Sequence, residues 1–391
     1  MTKRRKDTLL ATGGRNRRTS FDFVNPPLVR GSTVLHDDVA DMEQRVHNRL
    51  DGADGVTTYG IYGTPTHHAF YEALSELEGG YRSWALPSGL AACTMSILAF
   101  VRHGDHVLVP DNVYGPTRRF ALQALPRYGV QTTIYDPCIG AGITELMRPE
   151  TRVLFMESPG SLTFEMQDVP ALAAAARARG ITTIVDNTWA TPLNCQPIAL
   201  GADVVVHAAT KYIGGHSDLL MGTITTTEAA WPAVRAAMHQ YGMTTSPDDI
   251  ALAHRGLRSM GARLRQHAAA AMRLIEWLRA QPEVERILYP ALPDDPGHAL
   301  WKRDMSGASG LFGIALRPLV RDRFNALIDG LQLFGRGYSW GGYESLMIPA
   351  MPERSVIAVP FGGPLARISA GLEDPDDLIA DLAEGFARLR G

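Results

Sequence analysis

From about residue 64 the chain alternates between two hydrophobic patterns. Short continuous runs of apolar and β-branched residues recur at 106–109, 130–135, 153–156, 181–185 and 204–206. Segments with helical spacing separate several of them, at 117–127, 143–147 and 169–179. Runs that stay apolar, rather than alternating, belong to strands buried on both faces, and helical crossovers join such strands in parallel. An amphipathic stretch at 66–77 ends on Gly79-Gly80, and Ser88-Gly89 opens an apolar helix running to about 101. The pattern predicts an α/β fold with a mainly parallel sheet between helices. Ligands of such sheets bind at the carboxyl ends of the strands, so the residues just past each strand carry the most interest.

A long helical pattern at 252–278 leads away from this region. Beyond it come an extended connection from Tyr289, a strand near 310–316, a helix near 321–328 and a last helix at 374–390. This reads as a smaller C-terminal α+β domain. The expected division is an N-terminal arm at 1–63, a larger domain at 64–256 and the smaller one at 257–391. The first 20 residues show no clear period and carry Lys3, Arg4, Arg5, Lys6, Arg15, Arg17 and Arg18 against Asp7. No aromatic residue interleaves these charges, so the expectation is a solvated or partner-gripping terminus rather than a nucleic-acid contact.

Composition narrows the function classes. The 391 residues are 45% apolar and 20% charged, ordinary for a globular protein with a large core. A net charge of −3 gives no general attraction to nucleic acid or anionic membranes. No run approaches the ~20 apolar residues of a membrane helix, and the basic start is followed by too short an apolar stretch for a secretory signal. Cys93, Cys138 and Cys195 fit neither a disulfide framework nor a zinc site, so a reducing, cytoplasmic setting and no metal are expected. One count is sharper. Only Lys3, Lys6, Lys211 and Lys302 are lysines among 38 basic residues, so an amine nucleophile has few candidates.

Lys211 follows the buried run Val204-Val205-Val206 and precedes Gly214-Gly215, a position suited to Schiff-base chemistry or, equally, to a buried ion pair. Asp186 ends a strand, where a carboxylate is able to hold a pyridinium nitrogen protonated or simply to cap a turn. Gly89 and Leu90 start a helix whose N–H groups suit a phosphate. Tyr114, after the strand at 106–109, suits ring stacking or plain packing. Arg367 has the planar fork that grips a carboxylate. Each signal is weak alone; their order along the chain is far more specific.

That order, with several motifs, resembles the Cys/Met-metabolism enzymes of fold-type I that depend on pyridoxal 5'-phosphate (PLP). The resemblance runs from about residue 55 to the C-terminus. It is carried by Ala-Ala-Thr-Lys-Tyr-Ile-Gly-Gly-His-Ser-Asp (208–218), Glu-Ser-Pro-Gly-Ser (157–161), Asp-Asn-Thr-Trp-Ala (186–190), Arg-Gly-Leu-Arg (255–258), Tyr-Ser-Trp-Gly-Gly-Tyr-Glu-Ser (338–345) and Gly-Leu-Glu-Asp (371–374). Ser161, Trp189 and Trp340 match the β-eliminating branch, where γ-acting relatives usually have asparagine, phenylalanine and a non-aromatic residue.

The resemblance implies a PLP-dependent transferase-like fold with a seven-stranded sheet. It implies that Lys211 holds the cofactor and moves the Cα proton, that Tyr114 stacks on the ring and is able to take a proton from the incoming amine, and that Asp186 pairs with the ring nitrogen. Gly89, Leu90 and Thr210 would hold the phosphate, and Arg367 with the backbone near Ser339 and Trp340 would clamp the substrate α-carboxylate. The expected reaction is β-elimination from a small thioether amino acid, cystathionine, giving homocysteine, pyruvate and ammonia. A γ-acting relative, or a β-lyase for cystine or another S-substituted cysteine, stays open, as does the remoter case of a non-catalytic cofactor-binding or interaction protein. The resemblance also implies a homotetramer built as a dimer of dimers, with the arm touching a neighbouring subunit and Tyr59 reaching that subunit's cofactor. Two departures stand out. Ile61 replaces an arginine that in relatives accompanies this tyrosine, and Ala208 replaces a serine that many relatives use for phosphate.

Overall fold

The computed structural model describes residues 4–17, 19–52 and 55–390. Strands β1 (Arg82–Leu86), β2 (His106–Pro110), β3 (Gln131–Tyr135), β4 (Thr151–Glu157), β5 (Thr182–Asp186), β6 (Val204–Ala208) and β7 (Gly222–Thr226) form one seven-stranded sheet, in the order β1-β7-β6-β5-β4-β2-β3. Neighbours from β6 through β3 pair in parallel, while β7 runs antiparallel to both β6 and β1. Val204, Val205, Val206, Val107, Leu108 and Leu154 are fully buried, as continuous apolar strands between two helix layers require. The predicted α/β class and its mainly parallel sheet are therefore present.

The outer strands β1 and β7 lie outside the predicted runs. Strand β7 is Gly-Thr-Ile-Thr-Thr, and a hydropathy pattern reads threonine as polar even though its branched side chain suits a strand. Its hydroxyls are buried, and Thr225 is satisfied by Ser83 at 2.7 Å, which in turn meets Ser75 at 2.8 Å.

The helix Pro247–Arg279 is continuous and serves two cores. Ile250, Ala253, Leu257, Met260 and Leu264 pack with the seven-stranded sheet. Ala270, Ala271, Leu274, Ile275 and Leu278 pack with a second, antiparallel sheet. That sheet has the order β10-β11-β9-β8, from β8 (Val284–Leu288), β9 (Leu311–Leu316), β10 (Leu346–Ala350) and β11 (Leu365–Ser369). The expected division between residues 256 and 257 falls inside this helix, and the change of core lies between Leu264 and Ala270.

Part of the basic arm docks on the chain itself. Residues Lys6–Thr12 form a short helix that buries Leu9 and Leu10 against Pro247–Arg279 and the helix Pro65–Glu78. Arg258 donates to Leu10 O at 2.7 Å and Gly13 O at 2.9 Å, and Lys6 Nζ donates to Leu193 O at 2.8 Å. Two turns are too short to show a period, which is why the sequence gives no sign of it; Lys3 and Arg18 lie outside the described residues. A further helix, Val39–Leu50, buries none of its residues and leaves Val39, Met42 and Leu50 exposed. Among the described residues no helix is long and apolar enough to cross a membrane.

Candidate active site

The carboxyl ends of β4, β5 and β6 bring Glu157, Asp186 and the segment after Ala208 to one edge of the sheet. Glu157 and Asp186 are register partners on neighbouring parallel strands. Asp186 Oδ1 accepts the Thr188 N–H at 3.0 Å and the Thr188 hydroxyl at 2.5 Å, and Oδ2 lies 3.6 Å from the Cys93 thiol. Both carboxylate oxygens therefore have a donor beside them, two from Thr188 and the thiol of Cys93. Glu157 differs. Burial, then the neighbouring Asp186 charge, pushes its carboxyl well above the usual range, against one hydrogen bond from Tyr114 N–H at 2.7 Å.

Lys211 sits on a tight turn past β6, where its N–H donates to Ala208 O at 3.0 Å and its carbonyl accepts Gly215 N–H at 2.7 Å. Its amine donates to Ser339 Oγ at 2.7 Å and lies 5.6 Å from the centre of the Trp340 ring. Burial and then the Arg367 charge lower its pKa to about 8, with Asp186 opposing. An amine with that pKa is a usable nucleophile and proton acceptor near neutrality.

Ser339 and Trp340 lie on the loop that leads into β10 of the second sheet, and its C-terminal end is held firmly. Ser345 donates to Glu373 from its N–H and its hydroxyl, both at 2.8 Å, and Leu372 N–H donates to Tyr343 O at 2.8 Å. Gly341 has φ +84°, and a Cβ there would sit 3.2 Å from Tyr212 N and 3.3 Å from Lys211 C, so this loop lies flush on the lysine turn. Ser339 itself has φ +78°, an uncommon conformation for a non-glycine residue. It aims the hydroxyl at Lys211 and the carbonyl at Arg367 Nη2, 2.8 Å away. Arg367, in the middle of β11, is lowered to about 10 by burial, with Tyr114 and Tyr338 opposing.

Tyr114 follows β2 and is half-exposed; burial, then Cys93, Asp186 and Glu157, raises its phenol. The helix Gly89–Leu98 begins beside the end of β6, because a Cβ on Gly89 would lie 2.5 Å from Ala208 Cβ. Ser88 caps it by accepting Ala91 N–H at 3.1 Å, and Leu90 is exposed. The Thr210 hydroxyl is bonded to the Met221 backbone, at 3.2 Å to O and 3.0 Å to N.

The structure thus draws Lys211, Tyr114, Asp186, Ser339, Trp340 and Arg367 together, with Gly89, Leu90 and Thr210 at the end of β6. Tyr59 is tied to other neighbours: it is half-exposed and bridges Thr33, while the adjacent Tyr62 ring lies 4.8 Å from His239. Two of the β-type residues stand further back. Trp189 is buried and donates to Leu311 O at 2.9 Å, and Ser161 N–H donates to Asn112 O at 2.8 Å. Glu157 and Cys93 carried no role in the sequence reading. Glu157 ends a buried strand just as Asp186 does, which is the signal that points to it.

This donor set fits PLP. It offers a desolvated amine, a buried strand-end carboxyl group, a tyrosine at the rim and a helix start packed flush against the strand that leads to the lysine. The Cys/Met metabolism PLP-dependent enzyme family matches residues 7–387. Cystathionine beta-lyase MetC of Escherichia coli is 41% identical over 397 residues, covering 100% of each chain. Cystathionine beta-lyase of Haemophilus influenzae is 39% identical over 396 residues, covering 99% of each. Among solved structures, cystathionine gamma-lyase from Lactobacillus plantarum complexed with L-serine has a TM-score of 0.89 at 29% identity, covering 99% of this chain and 100% of that one. The chain belongs to the Cys/Met metabolism PLP-dependent enzymes.

Proposed function

We infer that this chain is a PLP-dependent carbon–sulfur lyase that splits L-cystathionine by β-elimination into homocysteine, pyruvate and ammonia. The observation that carries the reading is the Lys211 amine, lowered to about 8 between Ser339 and Trp340 and within range of both Asp186 and Arg367. The names of the beta-lyase relatives support the choice of bond. When bound, PLP supplies an electron sink for the charge left at Cα.

The chain's own groups do the rest. Arg367 pairs with the substrate α-carboxylate, and its bond to Ser339 O keeps the guanidinium fork from rotating. Ser339 Oγ accepts a hydrogen bond from Lys211 Nζ and so restrains the amine that would take the Cα proton. Asp186, oriented by Thr188, would pair with the ring nitrogen. Tyr114, anchored through its backbone N–H by Glu157, would stack on the ring. Gly89, Leu90 and Thr210 would hold the phosphate, with the Thr210 hydroxyl now bonded to the Met221 backbone as one of the donors. Ile61 brings no charge to it, so helix start and loop amides carry more of the binding than in relatives with arginine.

We further place the enzyme in the cytoplasm as a homotetramer, in which a second copy covers the exposed apolar residues of Val39–Leu50 and brings Tyr59 to the neighbouring site. Light scattering of the purified protein tests the assembly. Product analysis with PLP and L-cystathionine tests the reaction. Homocysteine with pyruvate is the expected result, and cysteine with 2-oxobutyrate would overturn β-elimination in favour of γ-elimination. Turnover of cystine but not cystathionine would reassign the substrate.

A further inference from the structure

The connection between β10 and β11, residues 351–364, has no regular secondary structure and is longer than most, a property that usually marks a functional loop. It begins after the strand that follows the Ser339–Trp340 loop, and it ends three residues before Arg367. Half of its residues are exposed, yet it is gripped by a fully buried side chain from the region of the seven-stranded sheet. Asp111, three residues before Tyr114, accepts hydrogen bonds from three consecutive backbone amides: Ser355 N–H at 3.0 Å to each oxygen, Val356 N–H at 2.9 Å and Ile357 N–H at 3.1 Å. The Ser355 hydroxyl adds a bond at 3.2 Å.

Arg118 completes the knot, with Nη1 2.7 Å from Asp111 Oδ1 and Nη2 2.7 Å from Ser355 Oγ. Burial alone would raise the Asp111 carboxyl, but these donors hold it below its ordinary value. A second anchor leads to the same place. Arg354, 6% exposed, donates to Glu165 Oε1 at 2.7 Å, and Glu165 accepts Asn112 Nδ2 at 3.3 Å. Both anchors return to residues 111–112, at the base of the loop that presents Tyr114.

We propose that Asp111 is a positioning residue that latches the 351–364 strap and so fixes the spacing between Tyr114 on one domain and Arg367 on the other. The proposal rests on the roles assigned above to Tyr114 and Arg367. With the latch made, the carboxylate clamp is assembled before substrate arrives. With it broken, substrate must select the assembled fraction, and apparent affinity falls by that fraction while turnover at saturation persists.

The test is Asp111→Ala in the PLP-loaded enzyme, read in two ways. Hydrogen exchange of the peptide covering 353–358 should be slow in the wild type, although the segment is exposed, and at least tenfold faster in the variant. KM for cystathionine should rise about tenfold with kcat within about twofold, taking the assembled fraction as roughly one tenth. The proposal is overturned if the wild-type amides already exchange at the unprotected rate, if exchange quickens with KM unchanged, or if kcat alone falls. Should Asp111→Ala not fold, Arg354→Ala decides: it loosens the same strap from its other anchor, and no change in exchange or KM rejects the latch. Arg367→Met is run beside them. If it leaves KM untouched the clamp itself is misassigned and the latch reading falls with it; if it raises KM while Asp111→Ala does not, the latch alone falls.

Discussion

The lowered basicity of Lys211 makes a quantitative prediction about capture of PLP by the apoprotein. Only the neutral amine adds to an aldehyde, so the rate follows the neutral fraction. At pH 7 a pKa of about 8 leaves roughly 9% of the amine neutral, against roughly 0.03% for an ordinary lysine at 10.5, an advantage of about 300-fold. The capture rate, followed by stopped-flow absorbance and divided by the rate of the same reagent with a lysine peptide to cancel the reagent's own ionisation, reports the protein's part. Multiplied by the peptide's own neutral fraction, this ratio should climb about tenfold per pH unit below 8 and level off above it. Two substitutions give opposite signs. Arg367→Met removes a nearby cation, so the plateau should move to higher pH, yet stay below 10.5 because burial is the larger cause. Asp186→Asn removes the charge that favours the protonated amine, so the plateau should move lower. A wild-type rate still climbing at pH 10 would refute the desolvated amine and the site built around it.

The same amine predicts a stability effect. The unfolded chain binds more protons than the folded one between about pH 8 and 10.5, so apoprotein stability should rise with pH across that window and carry the full penalty below it. Lys211→Met should therefore stabilise the apoprotein by about 3 kcal/mol at pH 7 in urea unfolding, and no gain would contradict the burial argument. Glu157→Gln keeps an acceptor for Tyr114 N–H without adding charge and should retain kcat/KM within about threefold, whereas Glu157→Leu orphans that amide and should lose at least tenfold. Near-normal kcat/KM in the leucine variant would remove Glu157 from the site. If Tyr59 acts across subunits, mixing inactive Tyr59→Phe and Lys211→Ala proteins under conditions of subunit exchange should restore part of the activity through hybrid sites; no recovery argues against a shared site.

The inner strands were legible because burial on both faces forces the same answer at every position. Val204, Val205 and Val206 have no polar alternative to hide, and β2, β4 and β5 read the same way. The outer strands escaped because they bury serine and threonine, whose hydroxyls read as polar and of which only some are bonded to one another. Ser75, Ser83 and Thr225 satisfy one another across a helix and two strands, so residues that look polar one at a time are dry together. The Lys6–Thr12 helix escaped for a related reason. Two leucines make no period, and what holds them is Arg258, almost 250 residues away in the chain.

The site divides along the same line. Asp186 was visible because it ends a buried strand, and Lys211 because lysine is so scarce here that a strand-end lysine stands out. Those are local features, and the fold brings Tyr114, Asp186 and Lys211 together simply by ending parallel strands on one edge. Asp111 meets the same local test, as an acid directly after β2, yet its sequence context is silent about what it holds. Its principal partners are backbone amides of residues 355–357, and an amide N–H has no residue identity to read. Side chains that act on other side chains leave a motif; a carboxylate that gathers main-chain donors leaves only itself. Acids at the ends of buried strands therefore suit two duties: holding a cofactor and, on the latch proposal, fastening the region of the second sheet. Asp186 accepts from Thr188, two residues on, and Asp111 from an amide 244 residues on, so the duties proposed for them are told apart by how far the chain travels to meet each.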